Sequence, residues 1–490
     1  IESTEKLLER IGCHHRYQII LSIIYCFIGI FLDFSLGNLS LMVTNPHVIY
    51  TKDGQVVNEQ LTYEICDDYS FTIDKEKSMI NWVTEFEVYC DKTWVSILTT
   101  SFYVGIVVGT FTLGLLKYQS KETIVKITIF VVSLATVLLF IKNYWVVILF
   151  NFIQGLCQGP MVLLRNATIT ELTCKDYRSY FLFVQFLSNL LTSPLMVTMK
   201  NSGLPWRYSY FISGTVMLVF NILNCVVVVT NPRYLMIHSS MEEATESADY
   251  IRSFNKFGHH SEVAELSELL DPDTSTLIIP ESLSLSVSRV TGVTGVSRVS
   301  SLTEVVEEKP KLSFLINIFL FISSGVVNFA FIIIEMKEHT SDPHYGVVMI
   351  VAALLTIPFF IFIGWLMNTQ LFGRRYALIF LNVIMIVMRL LKLAFSVYNI
   401  YIFAIIQICS ICVQLPEHAL VMEGFTNKER VMYYSSSYLL AKAINVFVPT
   451  IYEYTPDLWY QIIVTFLVCA SSFFALFVIK ETNKKELKDV

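Results

Sequence analysis

The feature that most constrains this chain is the recurrence of apolar runs about twenty residues long. A hydrocarbon core about 30 Å thick is crossed by a helix of roughly 20 residues. Runs near that length occupy 17–42, 93–116, 124–142, 144–172, 177–199, 206–230, 313–336, 345–368, 376–397, 399–424, 432–452 and 458–479. Lipid offers an open backbone no hydrogen-bond partner, so each run must be a helix or a barrel strand. Runs this continuous lack the alternation of barrel strands. The expected fold is an all-α membrane protein with twelve transmembrane helices. Composition agrees, since 54% of the 490 residues are hydrophobic and 16% are charged, a balance foreign to a water-soluble chain of this length. The net charge of −6 gathers in no basic stripe, which argues against nucleic acid as a partner.

Two long polar interruptions divide the series into six plus six. The expected organisation is an N-terminal half, 1–230, with an outer loop at 43–92. A cytosolic linker, 231–312, then leads to a C-terminal half, 313–480, and a polar tail, 481–490. The short loops "KYQSK", "CKDYR", "FGRRY" and "TNKER" fall on the same side as the linker and the tail "KETNKKELKD". Excess Lys and Arg marks that side as cytosolic or its organellar equivalent, with both termini there. No basic segment precedes a short apolar core at Ile1, so no cleavable signal is expected. Of the ten cysteines, Cys66 and Cys90 alone lie clearly outside a span or its cytosolic flank; there they can pair as a disulfide or stay free. In the linker, 241–270 reads as an amphipathic helix, with Ala244, Ala248, Ile251 and Phe254 at steps of three or four. The Ser/Val/Gly-rich "TSTLIIPESLSLSVSRVTGVTGVSRVSS" that follows lacks a helical period and reads as a tether.

The two halves echo one another. The fourth run ends "ITELTCKDYR" and the tenth "LVMEGFTNKER", so Glu171 precedes Arg178, and Glu423 precedes Arg430, by the same seven residues. A carboxylate at a cytosolic helix end that meets a neighbouring arginine can latch one face while the other is open.

The ordered motifs of the chain resemble the organic ion transporter family of solute carriers, within the major facilitator superfamily. The segment "VTEFEVYCDKTW" is similar to that family's "VTEfdLvCd…W" before its second span, and "QGLCQG" and "TELTCKDYR" match its fourth. After the sixth span comes "NPRYLMIHSSMEEATESADYIRSF"; after the eighth a "GRR" turn, Gly373, Arg374 and Arg375; and after the twelfth "KETNKKEL". The resemblance implies two six-helix pseudo-repeats and gating roles for the helix-end Glu and Arg residues and the GRR turn. There are departures. The family's "GylsDRfGRR" turn reads "GLLKYQSKET", with Tyr118 and Gln119 where Asp and Arg stand and Glu122 where an Arg stands; Asn151 replaces an Arg before "QG". The outer loop is about half the family's length, and the Asn-x-Ser/Thr sequons at Asn38 and Asn166 fall inside spans.

Charges inside spans are costly unless they face a cavity or a partner. Lys442, near the middle of the eleventh span, stands where the resemblance implies a charge that tracks substrate sign; a cation there favours anionic substrates. It can also snorkel, or pair with Glu417. Arg165 and Glu417 each lie six residues before Glu171 and Glu423. They are expected to form an ion pair between halves that closes the cytosolic side, or else to pair within their own halves or bind substrate. His418 is a proton relay or a packing residue. Arg389 and Lys392 share a helix face in the ninth span, set against acidic lipid, a partner subunit or the eighth helix. Asp33 is a cavity ligand or a boundary residue. Tyr438, Tyr210, Phe329 and Phe331 line a cavity or pack.

Enzyme chemistry has no sequence support: there is no P-loop, nucleophile elbow or metal-spaced Cys/His set. Neither a cofactor nor a metal is expected. The function expected is secondary-active or facilitative transport of small organic ions, anions favoured, by alternating access. The alternative is a transport-impaired subunit serving as scaffold in a larger membrane complex. The partners expected are a small organic ion, membrane lipids and, on the alternative, other membrane subunits. The membrane is the plasma membrane or an organelle membrane such as the mitochondrial inner membrane.

Overall fold

The computed structural model describes residues 11–255 and 312–477, apart from 13, 53–54, 76, 116–118, 175–176, 233, 236–238, 240, 340–341, 343, 370–371, 396–398, 425–426 and 456. The apolar runs are long helices: Arg16–Met42, Lys92–Leu115, Lys121–Ala135 with a 3-10 turn to Phe140, Tyr144–Leu172, Arg178–Ser202 and Trp206–Val227. After the linker come Leu312–His339, Tyr345–Asn368, Gly373–Ala394, Asn399–Gly424, Asn427–Asn445 continued by Val448–Tyr454, and Asp457–Phe477. These are the first to twelfth spans. Among the described residues, ten helices are long and apolar enough to cross a membrane. The fifth and eleventh spans also carry polar residues, among them Gln185, Ser188, Lys442 and Asn445, all of which are buried inside the bundle. Large apolar side chains on the periphery, such as Phe111, Val226 and Phe466, are more than half exposed, the surface that lipid covers.

The motif "QGLCQG" has a packing role. A Cβ on Gly155 would collide with the carbonyl of Phe102 on the second span, and one on Gly105 with that of Phe152 on the fourth. Small residues four apart let two membrane helices approach to backbone contact.

The sheet-bearing end of the bundle is the outer face on the positive-inside reading. Here the structure departs from an all-α chain. Strands β1 (His47–Lys52), β2 (Gln55–Gln60) and β3 (Phe71–Ile73) form an antiparallel sheet in the order β2-β1-β3, with Tyr50 opposite both Val57 and Phe71. The sheet folds over Val48, Tyr50, Leu61 and Ile65. Open strand edges are tolerable here because the loop lies beyond the apolar spans, where water can satisfy them.

The segment "NWVTEFEVYCDKTW" is a brace. Asn81 caps the short helix Trp82–Glu85 reciprocally with Thr84, an arrangement that satisfies two otherwise orphaned backbone donors. Its Nδ2 donates to the carbonyls of Leu41 (3.0 Å) and Thr44 (2.7 Å) at the end of the first span. Glu85 accepts from Trp206 Nε1 (2.8 Å) and Arg207 Nη1 (2.6 Å) at the start of the sixth. Burial pushes the Glu85 carboxyl up, and the hydrogen bonds from Arg207 and Trp206 outweigh that, leaving it below the usual carboxylate range. Cys90 forms a disulfide with Cys66, Cα to Cα 5.8 Å. At the end of the bundle opposite the sheet, the helix Met241–Asn255 buries Ala244, Ala248 and Ile251. Its last residue, Asn255, accepts from the Tyr17 amide and donates to the carbonyls of Ile11 and Gly12, each at 2.8 Å. The remainder of the expected amphipathic stretch and the Ser/Val/Gly-rich tether lie outside the described residues.

Candidate functional site: a charged cavity between the halves

Four ionisable side chains from four spans meet at one cavity with about 660 Å³ of space unfilled by atoms, part of it open to solvent. Asp33 comes from the first span, Arg165 from the fourth, Glu417 from the tenth and Lys442 from the eleventh. Both halves therefore contribute one acid and one base. Gln158, Phe186, Phe329, Gln414, His418 and Tyr438 complete much of the wall.

Local packing sets each charge. Arg165 reaches across to Asp33, Nη2 to Oδ2 at 3.8 Å, and Asp33 also accepts from Ser188 Oγ at 2.6 Å. This requires a bare backbone on the first span, because a Cβ on Gly29 would overlap the Arg165 guanidinium. The C-terminal half repeats the device: a Cβ on Gly325 of the seventh span would overlap the Glu417 carboxylate. Gly29 of the first span seats a charge of the fourth, and Gly325 of the seventh seats a charge of the tenth. The pseudo-repeat thus extends to the seats on which the two charges rest. Glu417 Oε1, Gln158 Oε1 and Arg165 Nε are buried without a hydrogen-bond partner among the described residues. Lys442 lies within electrostatic range of Asp33 and Glu417, and its ammonium sits 5.0 Å from the centre of the Tyr438 ring. His418 packs its ring against Phe186 at 5.2 Å.

The expected ion pair between Arg165 and Glu417 does not form. The two line the same cavity, but Arg165 pairs with Asp33 in its own half, held there by Ser188 and the Gly29 seat. Asp33, left open between ligand and boundary residue, is a wall of the cavity. Of the aromatics, Tyr438 and Phe329 line it. Tyr210 instead packs among Trp82, Phe150 and Trp206 beneath the outer brace, and Phe331 packs on Tyr460.

At the end of the bundle opposite the sheet, Glu171 accepts from Lys121 and, at 3.1 Å, from Asn231 Nδ2. Lys121 belongs to the turn whose Asp and Arg positions are altered, so that turn still delivers a charge to the fourth span. Arg178 and Arg374 are each 1% exposed, and Arg375 packs over Tyr376. Gly373 begins the ninth span with φ of 63°, a left-handed conformation that glycine adopts without steric cost. The side chains of Glu423 and Arg430 lie outside the described residues, as do Tyr118 and the tail 481–490.

A second buried charge cluster was not legible as such. Arg389 and Lys392 are buried and meet Glu335 of the seventh span. Glu335 also accepts from Gln461 Nε2 (3.1 Å) and Tyr460 Oη (3.2 Å) of the twelfth. The reason is the cost of a lone charge in an apolar interior: one carboxylate between two cations lets all three be buried.

The sequence profile of the Major Facilitator Superfamily matches residues 21–449. The chain belongs to this superfamily. Its fold is correspondingly similar to that of a proton:xylose symporter, XylE, bound to 6-bromo-6-deoxy-D-glucose. The TM-score is 0.62 at 14% identity, covering 98% of this chain and 98% of that one. A partially occluded inward-open form of XylE from E. coli gives 0.60 at 14% identity, covering 98% and 100%. Among curated relatives, this superfamily member is 27% identical over 172 residues to organic cation/carnitine transporter 2 of Arabidopsis thaliana, 34% of this chain. It is 25% identical over 189 residues to organic cation transporter 1 of Caenorhabditis elegans, 31% of this chain. The chain spans 32% of the length of each of these two relatives.

Proposed function

We propose that this protein carries small organic ions across a membrane, as a secondary-active or facilitative transporter working by alternating access. The observation that carries the reading is the convergence of Asp33, Arg165, Glu417 and Lys442, from both halves, on one cavity. A charge seated at the interface of two pseudo-repeats can bind an ion and feel both halves move. Arg165 is engaged by Asp33, so Lys442 is the cation we assign to an anionic substrate group, and Tyr438 and Phe329 offer flat faces beside it. Glu417, with one bare oxygen, is the counterpart that sets how much positive charge the same substrate can carry. Organic anions are the favoured class.

The test is uptake of a panel of organic anions and cations into proteoliposomes. Lys442→Ala should reduce anion uptake at least about tenfold, equivalent to about 1.4 kcal/mol of lost interaction, while folded yield is retained. Cation uptake without anion uptake would sink the anion assignment. Uptake of neither, with stable co-purification of other membrane proteins, would sink the carrier reading in favour of a scaffold.

A further inference from the structure

Above the cavity, a second, narrow space lies between the halves, walled by Leu39, Ser40, Val95 and Thr99 on one side and Ile333, Lys337, Pro449 and Glu453 on the other. Tyr103 also lines it. The Tyr103 hydroxyl is buried without a hydrogen-bond partner and lies within electrostatic range of Tyr438 in the cavity wall. The space therefore points from the outer face toward the charged cavity.

Its outer end is closed by contacts that cross from one half to the other. Tyr63, on the outer-loop helix Tyr63–Asp68, donates its hydroxyl to Glu453 Oε2 at 3.1 Å. Glu453 belongs to the helix Val448–Tyr454 and is oriented through its other oxygen by Lys337 of the seventh span, at 2.7 Å. Lys92, at the start of the second span, places its ammonium 4.5 Å from the Tyr63 ring centre and 5.5 Å from that of Tyr454. Burial and the neighbouring Glu453 raise the Tyr63 phenol above its ordinary range, so it stays a donor. The loop helix is not free to drift, because Cys66, one turn beyond Tyr63, is bonded to Cys90 just before the second span.

We propose that Tyr63, Lys92 and Glu453 form an outer gate over a substrate entrance between the first, second, seventh and eleventh spans. The Cys66–Cys90 bond fastens the moving piece to the second span. Lys337 is a positioning residue, holding the Glu453 carboxylate toward Tyr63. Opening the entrance requires the Tyr63 to Glu453 hydrogen bond and the Lys92 to Tyr454 contact to separate together, because both span the same seam. The gate rests on the carrier reading for its purpose, but its geometry can be tested without any substrate.

The experiment introduces Thr99→Cys in the wall of the entrance. It measures the rate of labelling by a membrane-impermeant maleimide applied from the outer side, against the same chain without that cysteine. Tyr63→Phe keeps the ring beneath Lys92 and removes only the hydroxyl; Glu453→Gln removes the charge that accepts it. Each should raise the labelling rate about tenfold, the effect on an opening equilibrium of losing a hydrogen bond to a charged group. Labelling unchanged in both variants, with both folded, overturns the gate. Accelerated labelling supports it even if no ion is taken up, in which case only the carrier reading falls.

Discussion

Glu335 and Glu417 are both carboxylates buried in the C-terminal half, and the structure treats them in opposite ways. Glu335 is 0% exposed and receives Lys392, Gln461, Tyr460 and, at 3.5 Å, Arg389. Glu417 rests against Gly325 at the cavity wall, with Oε1 taken by no described group. The first carboxylate is consumed by structure. The second is held in place and left available. A buried charge without a full set of partners is expensive, so the arrangement around Glu417 marks where a ligand can repay the cost.

That contrast can be broken most forcefully at Glu335. Glu335→Ala would strand Arg389 and Lys392 in an apolar interior, and a loss of about 3–5 kcal/mol is expected, read as a collapse of folded yield and of the melting temperature in detergent. Glu417→Gln should do the reverse, leaving the melting temperature within the change expected for about 1 kcal/mol while uptake falls at least about tenfold. Equal destabilisation by the two would erase the distinction. Gly325→Ala sharpens it at finer grain, because the three heavy atoms nearest a methyl group there all belong to the Glu417 carboxylate. Uptake should fall several-fold with folding nearly intact, and Glu417→Gln should add little further loss in the double variant, as expected for residues sharing one contact.

The smallest effect belongs to the outer brace. The Glu85 carboxyl is lowered by Arg207 and Trp206 against the opposing push of burial. A carboxyl lowered in the folded state contributes stability above its unfolded pKa and loses it as pH falls through the folded value. Mild acid should therefore loosen the brace, by well under the full linkage value because Glu85 is partly exposed to solvent screening. Tryptophan emission from the Trp82 and Trp206 pair checks this, and Glu85→Gln should remove the acid response.

Much of this protein was written in the linear order of its residues. Apolar runs must be helices in lipid, so the long helices were legible, although the eleventh run, expected as one span at 432–452, is two helices, Asn427–Asn445 and Val448–Tyr454. The seven-residue spacing of Glu171 to Arg178 and Glu423 to Arg430 pointed to the repeat. What the pattern could not distinguish was which charges meet. Arg165 and Glu417 occupy equivalent points of their halves, and the same logic that paired them overlooked Asp33, whose proximity is set by Ser188 on a different helix. Arg389 and Lys392 were legible as a pair on one face, whereas their common partner, Glu335, lies on the seventh span, more than fifty residues before them. What Gly29 and Gly325 do depends on which charged side chains lie against them.

The sequence by itself determined that the chain lives in a membrane, that it is built as two related bundles, and that charges at certain depths must be answered. Hydropathy and local spacing decide those things, because they act along a single helix. Only the tertiary structure decided that Asp33 answers Arg165, that Glu335 answers two cations, and that Glu417 and Lys442 share a cavity wall. Those outcomes depend on rotation and distance between helices far apart in the chain, which packing of whole faces sets and no local pattern encodes.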